Sequence, residues 1–356
     1  MNLEKQNAKK WFKKCIVLLV GAVFLVGIIV YVFDPYFHFH KPFDFVSYRL
    51  YDERYTNDGI SRHFDYDTII TGTSMAQNFK PSEVDSLFGV TCVKETFSGA
   101  GYQELSENLE RALQRNDELK TVIWTVDYNA IIREKDWCGY ENYPTYLYDD
   151  NLWNDTSYIY NKSILYHGVL PNVIRTLLRQ PSTSMDEYSS WEKETGLEYI
   201  LQSYDRDVIT DVLPHELTDE EHVIVRENIQ ENLVDLVNQY PDVTFYMFYT
   251  PYSICYWDAL NNQEAIIRQL QAEQIATEML LACPNVKLYN FNDQYEMITN
   301  TDNYRDKEHY ASWINTQILE WIAEDVGLVT KENYQERLKQ EEQYFLNYDY
   351  DSIYQE

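Results

Sequence analysis

At 356 residues the chain is long enough for one large domain or two small ones. Its 58 acidic residues against 29 basic ones leave a net charge of −29, a surface that repels phosphate backbones and excludes nucleic-acid binding. Five cysteines with no Cys-x-x-Cys pair offer neither a zinc motif nor a redox motif.

The chain opens on Lys5, Lys9, Lys10, Lys13 and Lys14 against the single acid Glu4, and then runs uncharged from Cys15 to Phe33. That stretch has roughly the ~20 residues that cross a bilayer as a helix. Asp34 and Pro35 end it. Lysines stay on the cytoplasmic side, so residues 1–14 are expected inside, 15–33 in the membrane and everything beyond about residue 34 outside. A cleaved signal peptide fits less well, since the apolar stretch is long and no small-x-small site follows it. The leader carries a net +4, so the exported remainder is near −33. Outside the cell Cys92, Cys138, Cys255 and Cys283 could bridge in any of three pairings, and their spacing chooses none.

Residues 34–65 read as a stem without a clear period, in which His38 and His40 lack the further ligands that a metal would need. A strand-and-helix rhythm follows. Strands are expected at Asp67–Thr71, Val90–Thr96 and Thr121–Val126, separated by helices at Pro81–Leu87 and along Leu105, Leu109, Ala112 and Leu113. The rhythm lapses over an aromatic-rich insertion of about 131–217, which is either a stacking platform for sugars or a cap whose rings bury themselves. It resumes at Thr218-Asp219-Glu220-Glu221, a capping box opening a helix that Tyr240-Pro241 ends. A fourth strand at Val243–Tyr249, a helix at Ala265–Leu281, a fifth strand at Val286–Tyr289 and a last helix stopped by Gly327 complete the domain. Residues 330–356 read as a helical tail that frays.

Strands alternating with helices imply right-handed crossovers and a parallel sheet, whose ligands sit beyond the carboxyl ends of the strands. The chemistry-bearing residues obey that geometry. Ser74 follows strand one, Gly99 strand two, Asn129 strand three, Tyr252 and Ser253 strand four, and Asp306 with His309 strand five. A serine becomes a nucleophile when an imidazole takes its proton and a carboxylate holds that imidazole. Ser74 could instead only cap a helix, and His309 only pack at the start of one.

Gly72-Thr73-Ser74 and Asp306-x-x-His309 resemble the first and fifth blocks of the SGNH hydrolase superfamily. Within it the chain is similar to membrane-tethered proteins of cell-surface glycan modification, such as the D-alanine transfer protein of lipoteichoic acid synthesis and the alginate acetylation proteins. The resemblance spans roughly residues 66–326. It implies a flavodoxin-like three-layer α/β fold with a five-stranded parallel sheet, in an SGNH-like domain of 66–329. It implies Ser74 as nucleophile, His309 as base and Asp306 as its partner. The oxyanion donors would be the N–H groups of Ser74 and Gly99 (Gly101 being a rival) and the Asn129 side chain, with Tyr252 and Ser253 as substrate-binding groups. No metal or cofactor is implied. The partners would be a cell-surface glycan and a membrane-bound O-acyltransferase that donates the acyl group. The expected function is an extracytoplasmic serine esterase or O-acyltransferase. The alternative is a degenerate glycan-binding scaffold, which the departures Gly-Thr-Ser for Gly-Asp-Ser and Asp-x-Asn-Ala for Gly-x-Asn-Asp favour.

Overall fold

The computed structural model describes residues 2–140, 143–149, 151, 153–206 and 213–355. The chain forms two compact units, one of Met1–Phe64 with Tyr143–Ser184 and the other of Asp65–Asn142 with Met185–Glu356. The second holds every residue that sequence reasoning placed in the site.

In the first unit the helix Asn2–Phe33 contains Lys5–Phe33, the one helix among the described residues long and apolar enough to cross a membrane. It stops where Asp34 takes a left-handed backbone (φ 21°). The buried Asp34 carboxylate then accepts the N–H groups of His38, Phe39 and His40 and the hydroxyl of Tyr158. Val30, Tyr36, Leu147, Tyr158, Ile164 and Val169 form the apolar core of this unit. Residues 53–63, read as part of an aperiodic stem, are a helix, Glu53–His63. Its period escapes detection because it buries polar side chains, Thr56, Asn57 and Asp58 among them. Gly59 lets it approach the Tyr36 carbonyl, which a β-carbon would meet at 2.0 Å.

The second unit is built on a sheet ordered β2-β1-β3-β4-β5-β6. Its strands are β1 (Thr68–Gly72), β2 (Cys92–Thr96), β3 (Thr121–Val126), β4 (Thr244–Tyr249), β5 (Val286–Asn290) and β6 (Leu328–Val329). The first five are parallel, and the expected five-stranded sheet gains a sixth strand, antiparallel to β5. Gly327 (φ 78°) makes the turn into β6, passing so close to the Asn290 carbonyl that a β-carbon would lie 2.8 Å from it. A two-residue strand leaves too short a pattern to be read in advance.

Pairing of Gly72 with Thr96 and of Val126 with Tyr249, then Tyr249 with Asn290, brings the strand ends into register, so the loops that follow emerge at one edge. Strand order reverses between β1 and β3, and there a crevice opens at the carboxyl edge. Helices Pro81–Phe88 and Ser312–Ala323 pack on each other, while Tyr102–Arg115, the run from Asp219 to Gln239, Ile266–Leu280 and Tyr334–Asn347 form a second packed series. Both halves of the expected capping box at Thr218 and Glu221 are made. The C-terminal helix does not fray. Phe345 is fully buried and stacks on Trp257 with ring centroids 3.7 Å apart.

Candidate active site

The turn after β1 is set by a glycine. Gly72 lies at φ 150°, and a β-carbon there would sit 2.0 Å from Thr125 Oγ1 on β3. Thr73 follows in extended conformation, and Ser74 opens a short 3-10 turn, Ser74–Ala76. The Thr73 hydroxyl donates to Asp127 Oδ2 at 2.6 Å and accepts the Met75 N–H at 3.3 Å, so the turn is pinned to the end of β3.

The loop carrying Asp306 and His309 is closed on itself. Tyr304 and Tyr310 form a single antiparallel bridge, and the Arg305 N–H donates to the His309 carbonyl. Buried hydroxyls tie its two ends down, Tyr304 to the Pro251 carbonyl and Tyr310 to the Met75 carbonyl. The N–H and the hydroxyl of Ser253 both donate to the Lys307 carbonyl, at 3.1 and 2.8 Å.

These constraints place Ser74 Oγ 2.7 Å from His309 Nε2. His309 Nδ1 lies 3.0 and 2.9 Å from the two oxygens of Asp306. Asp306 Oδ1 also accepts the N–H groups of Glu308 and His309. An ionised carboxylate only accepts, so the ring proton belongs on Nδ1, which leaves Nε2 to accept from the serine. Burial alone would raise the Asp306 pKa, but the hydrogen bond and charge of His309, with the two backbone N–H groups, hold it below the ordinary range. Burial would likewise lower His309, but Asp306 first, and the charges of Glu308 and Asp127 after it, leave its pKa raised above 6.5. Trp191 and the imidazole pack in a T-shaped arrangement, with ring centroids 5.6 Å apart and planes at 78°.

Beside Ser74 is a cavity of about 120 Å³ whose lining includes Ser74, Gly99, Asn129, Arg133, Trp137 and Tyr252. Gly99 has φ 67° and no atom within 4 Å of where a β-carbon would stand. Gly101 is different. A β-carbon there would strike the Trp137 carbonyl at 2.3 Å, so that glycine makes room for the loop that walls the cavity. Asn129 lies on the short helical turn Tyr128–Ile131 and is exposed. Its neighbour Tyr128 is buried and donates to Glu273 Oε2 at 2.9 Å. Ser253 is fully buried and lies outside the cavity, its hydroxyl spent on Lys307.

Four contributors were not among the residues singled out for the site from the sequence. Thr73 and Asp127 bind each other across the strand ends, Trp191 packs against the imidazole, and Arg133 lines the cavity. The one available signal was Asp127, an acid closing an otherwise apolar strand. Burial pushes the Asp127 carboxyl up to about 6, against the stabilising hydrogen bond from Thr73.

A hydroxyl 2.7 Å from an imidazole, itself gripped by a carboxylate, has the geometry for proton transfer from serine to histidine. No family model matches the sequence, and no curated protein matches it. Among solved structures, a protein from Streptococcus pneumonia provisionally described as a platelet activating factor is similar. The TM-score is 0.36 and the identity 12%, over 77% of this chain and 90% of that one. A likeness of that degree says nothing about the chemistry.

Proposed function

We propose that the second unit is an SGNH-like serine esterase or O-acyltransferase. One observation carries this reading: Ser74 Oγ, His309 Nε2 and His309 Nδ1 with Asp306 form one unbroken hydrogen-bonded line. Ser74 attacks an ester carbonyl while His309 takes its proton, and Asp306 stabilises the imidazolium. The N–H groups of Ser74 and Gly99 and the amide of Asn129 receive the oxyanion. His309 then returns the proton to the departing alcohol, leaving an acyl-serine. Water or a sugar hydroxyl attacks that intermediate by the same steps in reverse, so hydrolysis and transfer share this machinery.

The membrane helix favours transfer to a cell-surface glycan, with a membrane-bound O-acyltransferase as the source of acyl groups. A relay of that kind gains from being tethered beside its donor. The lysine-rich leader favours a cytoplasmic N-terminus with everything beyond about residue 34 outside. External protease should therefore digest the ectodomain in intact spheroplasts, and protection of it would reverse the topology. The competing reading, a glycan-binding scaffold without turnover, draws on the altered third block at Asp127-Tyr128-Asn129-Ala130. Kinetics separate the two. On a chromogenic aryl ester, Ser74→Ala and His309→Ala should each remove most of the activity, and the double variant should be barely worse than either, because the groups act as a unit. Full activity in Ser74→Ala would rule out the acyl-serine.

A further inference from the structure

Arg133 lines the same small cavity as Ser74, Gly99 and Asn129. Its Nε donates to the Asn129 carbonyl at 3.2 Å, and its guanidinium carbon stands 4.8 Å from the centre of the Trp137 ring. Together these contacts position the group while using one of its five N–H donors. The cation–π contact and the single Nε bond leave the terminal nitrogens of the guanidinium available to an oxyanion. Among the described residues Arg133 makes no ion pair. That is notable in a chain with 58 acids and 29 bases, where carboxylates are plentiful. The neighbouring cation Lys135 is paired with Glu231, and Lys307 approaches Glu308 at 3.8 Å. Arg133 is the one arginine or lysine of the cavity lining, which also holds the acids Asp127 and Glu308, and its fork matches a carboxylate or phosphate geometrically and electrostatically.

We propose that Arg133 is a specificity residue that receives an anionic oxygen group of the substrate, a carboxylate or a phosphate, within a few bonds of the scissile ester. The short span follows from the cavity. Ser74 and Arg133 both line this one small cleft of about 120 Å³, so a reacting group at the serine and an anion at the arginine are close together. The inference rests on the reading of Ser74 as nucleophile.

Two measurements test it. The first compares kcat/KM for a pair of aryl esters of matched length, the neutral butyrate and the monoanionic succinate hemi-ester, in wild type, Arg133→Gln and Arg133→Lys. A charge-assisted hydrogen bond implies a preference for the succinate ester of about ten-fold or more in wild type. That ratio should collapse in Arg133→Gln and recover partly in Arg133→Lys. A fall of both esters by the same factor would overturn the proposal and make Arg133 a structural or oxyanion group. The second measurement is calorimetric binding of succinate and of methyl phosphate to Ser74→Ala and to Ser74→Ala with Arg133→Gln. Binding of at least one anion that vanishes with Arg133 supports the proposal. If neither anion binds and the ester ratio is insensitive to Arg133, the proposal falls, while turnover of the neutral ester keeps the Ser74 reading intact. If no ester is turned over but an anion binds through Arg133, the Ser74 reading fails and the anion site stands.

Discussion

His309 holds its proton more tightly than an ordinary histidine because Asp306 and its other acidic neighbours outweigh the effect of burial. A general base must be neutral to act, so activity is lost as pH falls through this raised value. The acid limb of kcat/KM should therefore lie above pH 6.5 in wild type. In Asp306→Asn the principal raising influence is gone and burial remains, so the limb should move to lower pH as turnover drops. A limb unmoved by Asp306→Asn would mean that another group titrates. At this scale the sequence was informative where a residue's role follows from its place after a strand. On that ground the sequence brings Ser74, Gly99 and Asn129 to one cavity and Asp306 with His309 to Ser74, while their catalytic roles belong to the proposal. Ser253 misled for the same reason, since its position after β4 was right but its hydroxyl closes the loop at Lys307. Arg133 was illegible because its place in the cavity depends on the path of the chain after β3.

Two strand ends meet at the contact between Thr73 and Asp127, and the meeting comes at a cost. The Asp127 carboxyl titrates at about 6 when folded, against the ordinary 3.8, because burial disfavours its charge. A raised acid pKa means that the folded state binds the proton more tightly, so stability is fully present below the unfolded value and declines as pH rises from about 4 to about 6. Above that range the penalty is about 3 kcal/mol. Asp127→Asn keeps an acceptor for Thr73 and removes the charge. Its melting temperature relative to wild type should therefore be higher at pH 8 than at pH 5. An equal difference at both values would contradict a buried charge there. Elements with a strong period were readable in advance: the five parallel strands, the capped helix at Thr218 and the helix from Ile266 to Leu280 all lie within a few residues of expectation. Those that escaped have no such pattern. Glu53–His63 buries polar groups, β6 is two residues long, and the C-terminal helix is held by two adjacent stacked rings, Phe345 on Trp257 and Tyr344 on Tyr295, rather than by an apolar stripe.

At the scale of the whole molecule, the chain joins one long apolar helix to a mixed α/β unit whose parallel strands gather chemistry at one edge. The expected insertion does not behave as one piece. Residues 143–184 belong to the first unit and residues from 185 onward to the second, which Trp191 joins at the imidazole. Composition could not foresee that division, because one aromatic-rich stretch supplies Tyr158 to the core of the first unit and Trp137 to the cavity wall of the second. All five cysteines are unpaired, so no cross-link holds either unit together. The central claim is that His309 and Asp306 make Ser74 nucleophilic. The most direct measurement is labelling of the folded protein with a fluorophosphonate, followed by peptide mass spectrometry to locate the adduct. The adduct should sit on Ser74, fall sharply in His309→Ala and be absent in Ser74→Ala. An unlabelled wild type, or a label that persists at another residue in Ser74→Ala, would contradict it.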